Sequence, residues 1–436
     1  MELTIEKLIY GGDGLARLPA DEQGRGKAVF LPFTLPGERV EASIEEEKPG
    51  FARATARRIL QASPERIEAQ CPYFQRCGGC HYQHTSYAQQ LAIKMDILKE
   101  NLRRIAKMEL SSELQVHASP PWNYRNRTRL QVRADLGFTL GYFKASSHEL
   151  LAVETCPINS PLLNRAIDML WRLGRAGKVP GELREIELFA NEDDTRLQVE
   201  LYSDPHADKG TRTQAAQEFV EGMRAELPEV VSACVFPQTL TGTQGHIVES
   251  PDWILGQGEF LYRTKTAPLR VGAGSFFQAN RFLVDELATI VTGGRSGEVA
   301  LDLYAGVGLF TVALAASFRH IAAVESSHGS AKDLKYNSPR NVRTVRSTVD
   351  EYLTKAEKVR AELVVVDPPR AGLGERVVRG LTKLGAPHVI YVSCDPATLA
   401  RDLGALTAGG YRVDRMHLVD LFPQTYHLET VVELAR

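Results

Sequence analysis

The sequence predicts an α/β plus β chain in three units: a small N-terminal β-barrel, a central α+β domain and a C-terminal doubly wound α/β domain. Three observations lead there. Short runs that alternate apolar and polar residues fill the first 60 residues, as in a small barrel. From residue 266 onward, buried-strand runs alternate with helical stretches, as in a parallel sheet flanked by helices. The chain has 436 residues, 43% hydrophobic and 24% charged, which supports two or three domains with sizeable cores and excludes a disordered or fibrous chain.

Each unit has its own signals. Residues 1–60 hold the runs LTIEKLIY, GKAVFLPF, ERVEASIEEE and FARATARRIL, separated by GGDG, the Gly24–Gly26 stretch and the LPGE turn. Within 61–265, Leu91, Met95, Leu98, Leu102 and Ile105 recur at intervals of four and three. That spacing predicts a helix over 86–108, and Ser86 with Gln89 makes a capping box at its start. The helix is drawn with the central unit, with packing on the C-terminal unit as the alternative. TRLQVRAD, GFTLGYF, IELFANE and LQVELYS read as strands, with one helix around 160–173. In 266–436, VALDLY, HIAAVE, ELVVVDPP, HVIYVSCD, YRVDRMHLVDLF and HLETVVELA supply the strands of the doubly wound sheet.

Net charge is -2, so no global field draws the chain to nucleic acid or membrane. Residues 51–133 nevertheless carry 14 Lys+Arg against six Asp+Glu, a local excess of positive charge that marks a candidate polyanion contact. No long uncharged apolar run occurs, and MELTIEKLIYGGDG has acidic residues where a secretory signal needs basic ones. A soluble cytoplasmic protein is expected, without a membrane partner. Nothing suggests obligate dimer contacts, so a monomer is expected.

Five motifs carry chemistry. Cys71, Cys77, Cys80 and Cys156 are spaced C-x5-C-x2-C followed by a distant C-P, an arrangement suited to four thiolates around a metal centre. His81 and His84 keep a mixed Cys/His zinc site open, while Cys234 within SACVF reads as core. LDLYAGVGLF runs from a strand ending in Asp302 through Gly306 and Gly308 into a helix, and Glu325 ends the next strand 19 residues after Gly306. A carboxylate there can accept both hydroxyls of a ribose. The third glycine of a dinucleotide fingerprint is replaced by Thr311, so an adenosyl ligand without pyrophosphate fits better. DPPRAGL places Asp367 at another strand end, stiffened by Pro368-Pro369. VSCDPATLARD places Cys394 on the same sheet edge before a helix, where the helix N-terminus favours a thiolate. Glu429 stands among apolar residues, costly to bury unless paired or working. Last, Arg125, Arg127, Arg129, Gln131 and Arg133 recur at period two, with Trp122, Tyr124, Tyr142 and Phe143 close by. A solvated sheet face is the alternative, but with these aromatics close by a cationic comb that binds phosphates and stacks bases is the better reading.

Taken together, FFQAN (276–280), DLYAGVG, DPPRAGL, SCDPATLARD and HLETVVEL resemble the RNA uridine-C5 methyltransferase family that uses S-adenosylmethionine. The resemblance covers essentially the whole chain. It implies that the first 60 residues are a TRAM domain, an OB-like RNA-binding barrel, and that the C-terminal unit is a Rossmann-like methyltransferase domain. It also implies that Cys71, Cys77, Cys80 and Cys156 hold a 4Fe-4S cluster in the central domain. Gln278, Tyr304, Glu325 and Asp367 are then expected to line the cofactor site, with Cys394 as nucleophile and Glu429 as base. Leu309 and Thr348 depart from the family pattern, so no role is carried over to them. The subgroup implied acts on 23S ribosomal RNA, with tRNA as the alternative substrate. The rival readings are an amino-group RNA or DNA methyltransferase, which needs neither Cys394 nor Glu429, and a noncatalytic iron-sulfur RNA-binding protein.

Overall fold

The structure is a computed structural model that describes residues 1–19, 26–110, 114–134, 137–237, 250–255, 259–356 and 359–436. Gly24 of the first glycine stretch and Asp135 at the end of TRLQVRAD lie outside the described residues.

At the N-terminus, six strands form one sheet in the order Glu2–Thr4, Arg39–Glu47, Phe51–Gln61, Ala28–Pro32, Asp13–Arg17, Lys7–Leu8. Its two outermost strands are consecutive pieces of the same segment. Between them Ile5 N donates to Glu38 O and Glu6 N to Leu15 O, so this one segment joins the two ends of the sheet into a barrel. Val29, Leu31, Val40 and Ala52 fill the interior at zero exposure.

The central sheet has seven strands in the order Leu150–Ala152, Thr139–Phe143, Arg127–Arg133, Leu183–Ala190, Leu197–Ser203, Val230–Pro237, Trp253–Leu255. Helices Pro161–Arg175 and Lys209–Glu226 share its core through Leu163, Ile167, Leu170, Phe219 and Val220. Cys234 is buried on this sheet.

Eight strands make the C-terminal sheet: Val342–Arg346, Phe318–Glu325, Gly297–Leu303, Leu363–Val366, His388–Ser393, Glu429–Ala435, Arg412–Val419, Gln115–His117. The first five are parallel, and Glu429–Ala435 runs antiparallel to both its neighbours. The order reverses between Gly297–Leu303 and Leu363–Val366, and it is at such a reversal, beyond the carboxyl ends of the strands, that α/β sheets bind ligands. The last strand, Gln115–His117, comes from far upstream. Helix Tyr87–Asn101 joins the same unit: Ile93, Ile97, Leu98 and Leu102 share a core with Leu399, Leu403 and Leu406. The chain thus begins its C-terminal fold near residue 86, leaves to build the central sheet, and returns.

That helix starts at the expected cap, with Gln89 N donating to Ser86 Oγ at 3.3 Å. Its buried face is turned from the expected stripe. Gln90, Ile93, Lys94, Ile97 and Leu98 are buried, whereas Leu91 and Met95 are only partly so. Among the described residues no helix is long and apolar enough to cross a membrane.

Candidate active site

Strand Gly297–Leu303 brings Asp302 to the sheet edge and then breaks. Tyr304 adopts φ 66° and Gly306 and Gly308 adopt 55° and 102°; for a bulky residue such as Tyr304 that conformation is strained and concentrates at functional sites. Glu325 fastens the turn. One carboxylate oxygen accepts from Gly306 N at 2.9 Å and the other from Ser327 N at 2.6 Å. Beside this turn lies a cavity of about 420 Å³ lined by Tyr304, Val324, Ser326, Thr348, Asp350 and Arg376, among others. Apolar walls with a few polar groups suit a small flat ligand. Thr348 lines it despite departing from the family pattern, whereas Leu309 packs into the apolar core instead. Asp350, Ser326 and Arg376 escaped the sequence reading, because none sits in a motif and only the fold brings their loops together.

Deeper in the crevice, Asp302 is fully buried. Its Oδ2 accepts from the Thr311 hydroxyl at 2.5 Å, while Oδ1 has no hydrogen-bond partner among the described residues. Burial pushes its carboxyl up to about 7, with the Glu325 charge adding to the rise. Asp367, ending the adjacent strand, is likewise pushed up to about 7 by burial and then by Asp302.

Asp367 belongs to a second group with Cys394 and Glu429. Glu429 is 5% exposed, and burial together with Asp367 raises its carboxyl well above the usual range, opposed by Arg370. The Cys394 thiol is pushed up to about 12 by burial, then by Glu429 and Asp367, against the pull of Arg370. This corrects the expectation that a helix N-terminus would favour the thiolate. The N-terminal donors of helix Pro396–Ala408 are taken by Asp395, whose carboxylate accepts from Ala397 N and Thr398 N, and two further carboxylates crowd the sulfur.

The loop carrying Asp367 is tied to the same helix. Leu373 N and the Tyr391 hydroxyl both donate to Asp402 Oδ2, at 2.7 and 2.8 Å. Arg401 donates to Ala371 O and Thr398 to Arg370 O. Gly372 has φ 75°, and a Cβ there would lie 2.4 Å from Asp402 Oδ2, so the close approach requires glycine. Gln278 is buried on the loop before Asn280 and is not among the residues lining the cavity beside Tyr304.

Cys71, Cys77, Cys80 and Cys156 all line one further cavity, of about 570 Å³, with Arg125, Tyr142 and Phe143. Burial raises the Cys156 thiol to about 11 and the Cys80 thiol further, and the other cysteines add to both. His81 and His84 are not lining residues; they pack against Tyr426 and Phe74. Among the described residues, no three His, Cys, Asp or Glu side chains are gathered to hold a single metal ion.

The cationic comb is corrected. Arg129 and Gln131 stand opposite Glu187 and Glu185 in the neighbouring strand and bond to them at 2.6 and 2.9 Å. Arg127 is ion-paired to Glu187 and Glu200 and donates to Ser275 O. Arg125 donates to the Arg127 carbonyl. Tyr124 is fully buried, its hydroxyl on Pro423 O. The acidic residues of the adjacent strands neutralise Arg127 and Arg129, so these two do not offer RNA a free phosphate face.

Residues 1–56 match the family described as "TRAM domain", and residues 86–436 match "tRNA (Uracil-5-)-methyltransferase". A relative from Aquifex aeolicus described as "Uncharacterized RNA methyltransferase" is 33% identical over 442 residues, covering 100% of this chain and 98% of its own. One from Halalkalibacterium halodurans, described in the same terms, is 30% identical over 100% of this chain and 96% of its own. Among solved structures, the Pyrococcus abyssi tRNA (uracil-54, C5)-methyltransferase in complex with S-adenosyl-L-homocysteine superposes with a TM-score of 0.74 at 23% identity, covering 100% of both chains.

Proposed function

The chain belongs to the tRNA (uracil-5-)-methyltransferase family, an S-adenosylmethionine-dependent RNA uracil-5 methyltransferase with an N-terminal TRAM domain, and on that premise we propose that it methylates C5 of a specific uridine through a covalent bond from Cys394 to C6. The observation that carries this reading is the grouping of Cys394, Glu429 and Asp367 at one sheet edge, where Glu429 and Asp367 both raise the Cys394 thiol and Asp367 raises the Glu429 carboxyl.

Uracil C5 is too weak a nucleophile to attack a sulfonium methyl unaided. Cys394 gives its proton to water as its sulfur bonds to C6, and the electron pair of the C5–C6 double bond moves onto C5 and the neighbouring carbonyl, which gives C5 enolate character. S-adenosylmethionine would supply the electrophilic methyl group; the residues that would hold it are Tyr304, in the cleft that Thr348 and Asp350 also line, and Glu325, which fastens the turn beside that cleft without lining it. Once C5 carries the methyl group, Glu429 takes the C5 proton, the Cys394–C6 bond breaks and the aromatic ring returns. Asp367, pushed up to about 7, can donate a hydrogen bond to the uracil edge as a neutral acid, and Gln278 is assigned to the same edge. A stacked or paired uridine hides C6, so the target is flipped out.

The four cysteines fit a 4Fe-4S cluster. They share one cavity, and a cluster with its own inorganic sulfides spaces its thiolate ligands more widely than a single ion does. The TRAM domain together with the four cysteines favours 23S ribosomal RNA as substrate. The tRNA reading is kept because the P. abyssi enzyme of the same fold is described as acting on tRNA uracil-54. A monomer in the cytoplasm suits either substrate.

The test separates the two catalytic residues by step. Cys394→Ala should abolish methylation and form no adduct. Glu429→Gln should stall as a methylated covalent RNA adduct that survives denaturing electrophoresis, and the double mutant should not. Methylation by Cys394→Ala would favour the amino-group reading, with N-methylated adenine or guanine as product. Mapping 5-methyluridine in ribosomal RNA and tRNA from a deletion strain decides the substrate.

A further inference from the structure

The tip of the N-terminal barrel reaches the loop of the proposed nucleophile. The Tyr10 hydroxyl donates to the Cys394 carbonyl at 3.1 Å, across 384 positions of sequence. Its ring meets Tyr426 edge-on, with centroids 5.3 Å apart. Tyr426 in turn packs on His81 of the cysteine loop at 4.6 Å and on His427 at 4.3 Å. The GGDG turn makes this approach possible. Gly11 and Gly12 have φ 109° and 93°, and a Cβ on Gly12 would stand 3.0 Å from the Cβ of His81. Burial and the nearby Asp395 keep the Tyr10 hydroxyl protonated, so it remains a donor. Cys394 sits between strand His388–Ser393 and helix Pro396–Ala408, at a turn where neither element's ladder fixes its peptide plane.

We propose that Tyr10 is a positioning residue for Cys394: its hydrogen bond sets the peptide plane, and thereby the sulfur, so that the sulfur meets uracil C6 only when the barrel is seated on the site. Attack geometry is sensitive enough for this, since a misplacement of about 1 Å can cost about a hundredfold in rate. The barrel then takes part in the chemistry as well as in RNA binding. This inference rests on the reading of Cys394 as the nucleophile.

Tyr10→Phe removes the hydroxyl and keeps the ring on Tyr426. Full-length protein is assayed on total RNA from a strain lacking the enzyme, at saturating S-adenosylmethionine. Removing one hydrogen bond should lower kcat and the rate of covalent adduct formation roughly three- to tenfold, with KM for RNA, S-adenosylmethionine affinity and melting temperature unchanged. Tyr10→Ala, which also loses the ring, should be slower still. An unchanged kcat with raised KM for RNA would make Tyr10 an RNA contact and overturn the proposal. So would unchanged kinetics, or a loss of rate matched by a loss of melting temperature. Cys394→Ala is run alongside. If it still methylates, the nucleophile reading fails and the positioning role goes with it; if it is inactive while Tyr10→Phe is normal, only the positioning role fails.

Discussion

Cys394 is stored as a thiol, because burial, Glu429 and Asp367 push its ionisation up to about 12, against about 8.5 for an unperturbed thiol. Below that value the thiolate fraction grows tenfold with each pH unit. Iodoacetamide labelling of Cys394, followed by mass spectrometry, should therefore be slow at neutral pH and climb about tenfold per unit from pH 7 to 9; a rise that flattened to about threefold between pH 8 and 9 would show the sulfur ionising as an ordinary thiol does. Asp302 gives the complementary case. Its carboxyl rises from 3.8 to about 7 on folding, so between those values the folded state binds more protons than the unfolded state. Stability from this group is present at low pH and is lost as pH rises toward 7. Asp302→Asn should accordingly melt higher than the parent at pH 8, by a few °C, with the gap closing toward pH 5; a gap that widened on acidification would refute the assignment.

A strand's function depends on its neighbours, and the Arg127–Arg133 strand shows what the sequence withholds. Its period-two cations were legible, and so were Glu185 and Glu187 at the same period in one other strand and Glu200 in another. That these three strands lie side by side was not legible, because strand order is set by the tertiary fold rather than by local pattern. Arg127→Ala is thus expected to destabilise the chain by about 3–5 kcal/mol, since it leaves Glu200 buried without a counter-charge and Glu187 with Arg129 alone, and to leave the salt dependence of RNA binding unchanged. Urea unfolding and filter binding check the two halves separately. By contrast, DLYAGVG, DPPRAGL and SCDPATLARD were legible because each is a contiguous piece of strand, turn and helix whose chemistry is decided within a few residues. Tyr10 carried no such local signal. The GGDG turn was visible, but not what it would approach.

Across the whole molecule, three units meet around one crevice, and helix Tyr87–Asn101 is what ties the upstream chain to it. Gln90 and Lys94 are one helical turn apart and so share a face. Gln90 Nε2 donates to Gln424 Oε1 and its Oε1 accepts from Gln424 N, each at 2.9 Å. Lys94 donates to Asp420 at 2.6 Å and to Phe422 O at 3.0 Å. Both members of that ion pair have fully buried side chains. The face that packs on the C-terminal unit is therefore partly polar, which is why an apolar stripe alone misplaced it. The loop so held, residues 420–427, carries Tyr426 and His427 against the barrel tip and the cysteine loop. Lys94→Met strands the Asp420 carboxylate without a counter-charge and should cost about 3–5 kcal/mol, whereas replacing both partners by apolar residues is often nearly neutral for a buried pair. Lys94→Met/Asp420→Leu should then recover most of the lost stability in urea unfolding. If the pair also sets the loop against the crevice, the recovered double variant should remain slower in methylation than the parent, because the loop has lost its tie to the helix at Asp420 and Phe422 O, the latter keeping only Thr425 as donor. A double variant with full stability and full activity would show that the ion pair is not needed to set the loop, which Gln90, Tyr124 and the backbone bonds from His81 and Tyr82 to Gln424 then hold without it.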